Sequence, residues 1–458
     1  MYPTHAMARP LLLSVLFVGC AAAPMPPMAA PSSVAVAAAS AHGAATRPAP
    51  KEVVATLAAV EPAQVEKTIQ KLVSFGTRHT LSDTQSKTRG IGAARAWLKE
   101  ELARSPALQV SFDAHALAAD GARVPRDIEL VNVVAVLPGA MPEAQARRYY
   151  VVGHFDSRVV DVMDATSDAP GANDDASGVA VVLEAARVMA KGRYDATLVF
   201  LATAGEEQGL YGAKLHAKAA RAASLDVRGV LNDDIVGDPS GPSGTKHDAE
   251  IRVFSEGLPV GGDVAEIRKL AAEGDSASRQ LARYVAEVAW QHALAVRPML
   301  VFRPDRFLRG GDHLAFNEVG YPAVRFTTVE ETYTRQHAPA DVAAAVDPAY
   351  LANVARVNIA ALAHLANAPR PPDAARIVTA ELGNDVVLRW TACPEPDVRG
   401  YELVWRSTTA ATWEHMKDVG NVVEARLPMS KDDFFFGVRA YDRDGYVSPV
   451  AFAKAAQK

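Results

Sequence analysis

Five short stretches of this chain concentrate the residue types that bind metals and move protons. They are Gly153-His154-Phe155-Asp156, Gly171-Ala172-Asn173-Asp174-Asp175-Ala176-Ser177-Gly178, Ala204-Gly205-Glu206-Glu207-Gln208-Gly209, Asn232-Asp233-Asp234-Ile235-Val236-Gly237 and Gln336-His337-Ala338-Pro339-Ala340-Asp341. A His-x-Asp pair at a strand end puts both side chains on one face, so one can ligate a metal while the other orients it. Asp174 and Asp175 sit among small residues at the entrance of an apolar helical run, where a carboxylate serves as turn, cap or ligand. Of two adjacent glutamates in a loop, one can bind metal and the other handle protons. Each stretch alone has an ordinary explanation as a turn or as solvated charge. Taken together, two histidines and three carboxylates, one of them shared, suit two zinc ions about 3.5–4 Å apart. A further carboxylate outside the metals is what activating a water requires.

The elements that must position these residues are legible as alternating apolar runs. Strands are predicted at Ile128 to Leu137, Tyr149 to Val152, Thr197 to Ala202, Val227 to Leu231 and Val324 to Thr327. Helices are predicted at Pro62 to Phe75, Thr88 to Leu102, Val179 to Met189, Leu210 to Ala222, Ser276 to Leu294 and Pro348 to Ala366. The five stretches fall at strand ends or in the loops that follow, where open α/β sheets carry their chemistry. The fold class expected is α/β, with a central, mostly parallel mixed sheet covered on both faces as an α/β/α sandwich. After Pro369-Arg370-Pro371-Pro372 the pattern changes to short alternating runs separated by turns, that of a small all-β sandwich.

Composition bounds the reading. The chain has 458 residues, 49% hydrophobic and 22% charged, with a net charge of -5, so no basic footprint points to nucleic acid. Arg9 precedes a short apolar run, Leu11 to Val18, ending in Gly19-Cys20-Ala21-Ala22-Ala23, the pattern of a secretory signal. Cys20 is also a candidate lipid anchor. Cys20 and Cys393 are the only cysteines, so no disulfide framework is expected. No later run reaches the ~20 apolar residues of a membrane span. The domain order expected is a signal at 1–23, an Ala/Pro-rich leader at 24–52, a catalytic domain at 53–368 and the all-β domain at 369–458. The protein is expected to be exported: periplasmic, secreted or lipid-anchored to the cell envelope.

On these motifs the chain resembles the secreted dizinc aminopeptidases of the bacterial leucyl aminopeptidase and aminopeptidase Y type. Glutamate-carboxypeptidase-type enzymes and glutaminyl cyclases are more distant relatives. The resemblance spans about Val53 to Ala366 and takes in Gly76-Thr77-Arg78 and Leu137-Pro138-Gly139. It implies that His154 and Asp234 hold one zinc and Glu207 and His337 the other, with Asp174 bridging both. It makes Glu206 the general base and acid, and has Asp156 orient His154 and Asp341 orient His337. The family pattern of Asp, two mainly apolar residues, then Gly selects Asp234, with Asp233 its competitor. Many members carry Tyr directly before the last His; here Gln336 stands there, and Tyr333 is the nearest substitute as donor to the oxyanion. A cis peptide between Asp174 and Asp175 is implied as well.

His313, in Gly311-Asp312-His313, is expected to support the site wall. His216, His247, His292, His364 and His415 have no acidic partner in register and are expected to be core or surface histidines. The activity implied is removal of the N-terminal residue from peptide substrates. Arg303, Arg306, Arg309, Arg325 and Arg335 keep carboxypeptidase and dipeptidase readings open; a glutaminyl cyclase or a silent binding protein is less favoured. The last 90 residues or so resemble a fibronectin type III module through Trp390, Tyr401-Glu402-Leu403-Val404-Trp405 and Phe436-Gly437-Val438-Arg439-Ala440-Tyr441, expected to contact the catalytic domain or an extracellular polymer.

Overall fold

Residues 47–455, apart from 263, 271–274 and 381–382, are described by a computed structural model and fall in one compact unit. The expected signal segment with Cys20, and nearly all of the leader, lie outside the described residues. The helix α1 (Lys51–Ala58) begins two residues before the expected onset of order at Val53. It is followed by α2 (Pro62–Val73), α3 (Gly90–Leu102), β1 (Gln109–Leu117), β2 (Ile128–Leu137) and β3 (Arg147–His154). Next come α4 (Ala176–Met189), β4 (Thr197–Thr203), α5 (Tyr211–Ala222), β5 (Asp226–Asp233) and β6 (Glu250–Ser255). The series closes with α6 (Val264–Lys269), α7 (Ala277–Gln291), β7 (Arg297–Val301), α8 (His313–Glu318), β8 (Ala323–Thr327) and α9 (Pro348–Asn367).

The eight strands form one mixed sheet in the order β1-β2-β4-β3-β5-β8-β6-β7. Its centre, β4-β3-β5-β8, is parallel, so the C-terminal ends of these four strands share one edge. Register aligns that edge: His154 lies beside Thr203, and Asp233 beside Phe326. Alternation along β3 fixes the two layers. Tyr149 and Val151 pack with α4, α7 and α9, whereas Tyr150 and Val152 face α5 and α8 through Ala213, Ala217 and Phe316. Gly153 and Gly178 let α4 lie directly on β3; a Cβ at Gly178 would sit 2.2 Å from the Asp233 oxygen.

The expected elements are present with ends shifted by a few residues. One shift changes the reading: α4 begins at Ala176, so Ser177 and Gly178 are inside the helix rather than leading into it. The strands β1, β6 and β7 were not anticipated. β1 and β7 are the two edges, largely half-exposed, and β7 carries Pro298, which suits an edge.

Beyond Asn367 the chain is all β: β9 (Asp373–Ile377), β10 (Val386–Thr391), β11 (Val398–Ser407), β12 (His415–Gly420), β13 (Glu424–Leu427), β14 (Phe434–Asp442), β15 (Ala451–Phe452) and β16 (Lys454–Ala455). They form two four-stranded sheets, β13-β10-β9-β16 and β12-β11-β14-β15, around Trp390, Tyr401, Leu403, Phe436 and Val438. These sheets are bonded to the α/β part. Arg147 at the start of β3 pairs with Glu395 at 2.6 Å, both buried. Asp275 pairs with Arg283 of α7 at 2.9 Å and with Arg406 of β11 at 2.8 Å. Glu287 of α7 pairs with Arg439 of β14 at 2.6 Å.

Candidate metal centre

The shared strand edge collects the chemistry. His154 ends β3 and is buried, its Nε2 3.3 Å from Asp174 Oδ1 and 4.0 Å from Asp234 Oδ1. His337 reaches the other oxygen of the same aspartate: its Nε2 is 3.2 Å from Asp174 Oδ2 and 3.3 Å from Glu207 Oε2. The side chains form two groups able to converge on a cation, His154 with Glu206 and Asp234, and Asp174 with Glu207 and His337. Asp174 therefore stands between two imidazoles, one from each group. All six residues named from the sequence for metal and proton transfer come together here.

The loop holding Asp174 is tied from three sides. The Asp174–Asp175 peptide is cis, as the family resemblance implied. Asp175 caps α4 by accepting from the Gly178 amide at 2.8 Å, and also accepts from the amides of His154 at 3.1 Å and Ile235 at 3.3 Å. One carboxylate thus fixes the helix start, the β3 end and the turn after β5 in common register. Arg78, fully buried, donates to the carbonyls of Phe155, Leu72, Pro170 and Gly171 at 2.6–3.1 Å, which explains why the Gly76-Thr77-Arg78 loop belongs with the site.

One expected orienting role is corrected, and another is shared with a second task. Asp341 does not back His337; its carboxylate accepts from the amides of Asn173 and Asp174, each at 2.9 Å, and so clamps the Asp174 loop. Asp156 presents its main-chain oxygen to His154 Nδ1 at 3.2 Å, with its carboxylate oxygen farther away at 3.6 Å. That carboxylate accepts from Thr80 Oγ1 at 3.0 Å and from the amides of Glu206 and Glu207, each at 3.2 Å. It fixes the double-glutamate turn more directly than it fixes the imidazole.

Of the adjacent aspartates, the structure brings Asp234 to the cluster. Asp233 points away and accepts from Asn358 of α9 at 2.9 Å. Asp234 also meets the buried guanidinium of Arg325 at 2.9 Å. Tyr333 is not brought in: it is 63% exposed, lies under the Arg309 guanidinium, and its hydroxyl has no hydrogen-bond partner among the described residues. Gln336 is engaged with Arg309 and Glu331. His313 opens α8 and contacts the Pro304 oxygen at 2.8 Å, holding the 304–310 loop against the site. His216 and His247, expected to lack acidic partners, have them: Asp113 at 2.8 Å and Glu330 at 4.0 Å. Arg158 was missed as a site residue, and Arg325, named only as a cation for a substrate carboxylate, is instead buried between Asp234 and Asp305. Their partners are distant in sequence, and nothing local marks a buried arginine.

Electrostatics set the donor set apart from an ordinary polar cleft. Burial alone would raise Asp174, but His154 and His337 outweigh it and hold its carboxyl well below the usual range. Burial pushes Glu206 well above its usual range, with Asp234, Glu207 and Asp312 adding and His154 opposing. Glu207 Oε1 is buried without a hydrogen-bond partner. Crowded acceptor-only oxygens beside two imidazoles, one oxygen unsatisfied, are the chemistry of a metal site, and carboxylate with histidine suits zinc.

A family model described as peptidase family M28 matches residues 132–362. The chain is 43% identical over 424 residues to a probable zinc metalloprotease of Leptosphaeria maculans, covering 89% of this chain and 98% of that protein. It is 44% identical over 419 residues to a probable zinc metalloprotease of Pyricularia oryzae, covering 86% and 83%. Among solved structures, LapB from Legionella pneumophila superposes with a TM-score of 0.51 at 18% identity, covering 69% of this chain and 75% of that one, a likeness of fold alone. With half of the chain matched by the family model and relatives above 40% identity along most of their length, the chain belongs to peptidase family M28 as a zinc metallopeptidase.

Proposed function

We propose that this zinc metallopeptidase is an exopeptidase, an aminopeptidase that hydrolyses the N-terminal peptide bond at a two-zinc site with Glu206 as general base. The observation that carries the reading is the placement of Asp174, one oxygen toward His154 and the other toward His337, with Glu206 in the adjoining group. His154 and Asp234 would hold one ion, Glu207 and His337 the other, and Asp174 both. When bound, two zinc ions supply Lewis acidity that lowers the pKa of a water and polarises the scissile carbonyl.

The chain's own residues do the rest. Glu206 accepts the proton of the attacking water and delivers it to the leaving amine. Asp156, through the Glu206 and Glu207 amides, keeps the base and its neighbouring ligand on one rigid turn. Asp175 and Asp341 hold the Asp174 loop so that its carboxylate faces both groups. Tyr333 serves as a donor to the carbonyl oxygen only if its loop turns inward. The all-β segment we read as a fibronectin type III-like domain packed on α7. Hydrolysis of aminoacyl-nitroanilides, measured together with zinc content, tests the reading. Two zincs per chain with turnover support it; one zinc with cyclisation of N-terminal glutamine would replace it with the cyclase reading.

A further inference from the structure

Arg158 leaves β3's loop two residues after Asp156, on a segment anchored by Ser157, whose hydroxyl donates to the Ala169 oxygen at 2.7 Å. Its guanidinium reaches the metal cluster: Nε donates to Glu207 Oε2 at 2.7 Å, the oxygen that also faces His337. Nη1 donates to the oxygens of Val159 at 3.2 Å and Val160 at 3.3 Å. Nη2 has no hydrogen-bond partner among the described residues, and the side chain keeps 15% of its exposure.

The neighbouring guanidiniums are committed elsewhere. Arg325 lies between Asp234 and Asp305 and is 1% exposed. Arg306 pairs with Asp305 and Glu331, Arg309 with Glu331 and Gln336, and Arg335 with Asp238. Arg123, which is exposed, donates to the main-chain oxygen of Glu207 at 2.9 Å, so among the described residues Arg158 is the arginine that meets a candidate ligand carboxylate while keeping a free donor edge and access to water.

A guanidinium in that place repels an α-ammonium and attracts a carboxylate, with which it can form a charge-assisted, planar pair. We propose that Arg158 binds a substrate carboxylate lying within one or two residues of the scissile bond, so that the enzyme prefers dipeptides and similarly acidic short peptides over carboxyl-blocked ones. The inference rests on the peptidase reading above and narrows its substrate class.

The test compares Leu-Ala, Leu-Ala-amide and Leu-Asp-amide on the zinc-loaded full chain, with Arg158→Met alongside. The expected result is a preference of ~10–100-fold in kcat/KM for a carboxylate-bearing substrate over Leu-Ala-amide. In Arg158→Met that ratio should collapse toward one, mainly through KM, while zinc content holds. Preference for Leu-Ala assigns the C-terminal carboxylate; preference for Leu-Asp-amide assigns a side-chain carboxylate. No preference in the native enzyme overturns the proposal. So does an equal loss on all three substrates, or loss of zinc, in Arg158→Met, since either makes Arg158 a residue that only positions Glu207. Calorimetric binding of Leu-Ala and Leu-Ala-amide to Glu206→Ala repeats the comparison without turnover. A carboxylate preference there alongside a native chain that cleaves none of the three would count against the peptidase reading and leave the Arg158 assignment standing.

Discussion

Glu206 and Glu207 are chemically identical neighbours, and what separates them is their surroundings. Glu207 shares its Oε2 with His337 and Arg158, whereas Glu206 lies in the group with His154 and Asp234. Glu206→Ala is expected to keep its zinc and lose peptide hydrolysis by a factor of ~10²–10⁴ or more; substantial residual turnover with full metal would remove Glu206 from the base role. Asp174→Ala is expected to lose metal, because both groups depend on one carboxylate, and a variant that still holds two zincs by elemental analysis would refute the bridge. At this scale the sequence was informative where a residue's neighbours in the chain are also its neighbours in space. The family resemblance, through its Asp-x-x-Gly pattern, implied Asp234 over Asp233, and Asp234 is the one that lies in the cluster. Asp341 was misread because its partners, the Asn173 and Asp174 amides, lie 168 and 167 positions away and no local pattern encodes them.

The elements deliver these residues by packing more than by propensity. The helix α4 touches β3 where Gly153 meets Gly178, and a Cβ on Gly178 would meet the Asp233 oxygen at 2.2 Å and Asp175 Oδ2 at 2.4 Å. Gly178→Ala must therefore push the helix start off the sheet. The expected cost is about 1–3 kcal/mol of stability, with a fall in zinc content because Asp175 moves with the helix. Native-like stability and metal content in this variant would show that the close approach is not what sets the loop. The parallel core strands were legible because both faces are covered and their runs are continuously apolar, as in Thr197–Thr203. The unanticipated edge strand β1 alternates half-exposed and exposed residues, Gln109 to Leu117, a pattern that carries little hydrophobic signal.

Across the whole molecule, buried ion pairs join the two kinds of architecture. Removing one partner of a buried pair strands the other charge, so Arg147→Met is expected to cost about 3–5 kcal/mol in denaturant unfolding, with Arg147→Met/Glu395→Leu recovering much of it. Equal stability of the single and double variants would deny the pair its role. A second junction is pH-sensitive. His364 of α9 lies 2.8 Å from His292 and edge-on to Tyr446, and burial, with His292 adding, lowers its pKa to about 3. The folded state therefore resists a proton that the unfolded chain accepts below about 6.5, so stability through His364 is full above that pH and declines as pH falls toward 3. At pH 5 the loss is about 2 kcal/mol. Asp442 and Glu256, both raised to about 7 by burial, act in the opposite sense as pH falls, so the variant must be compared with its parent. The drop in Tm between pH 7.5 and pH 5 should be smaller in His364→Leu than in the parent; equal drops would exclude His364 as the source.

The ion-pair partners that cross this junction are also far apart in the order of synthesis. Arg147, Asp275 and Glu287 emerge from the ribosome long before Glu395, Arg406 and Arg439, which complete their pairs. A nascent chain halted ahead of Glu395 holds every candidate zinc ligand and already pairs Asp275 with Arg283, but it leaves Arg147 without its carboxylate partner. A chain truncated ahead of Glu395 is therefore expected to unfold at a lower denaturant concentration than the full chain, and equal midpoints would show that the peptidase part needs none of these pairs.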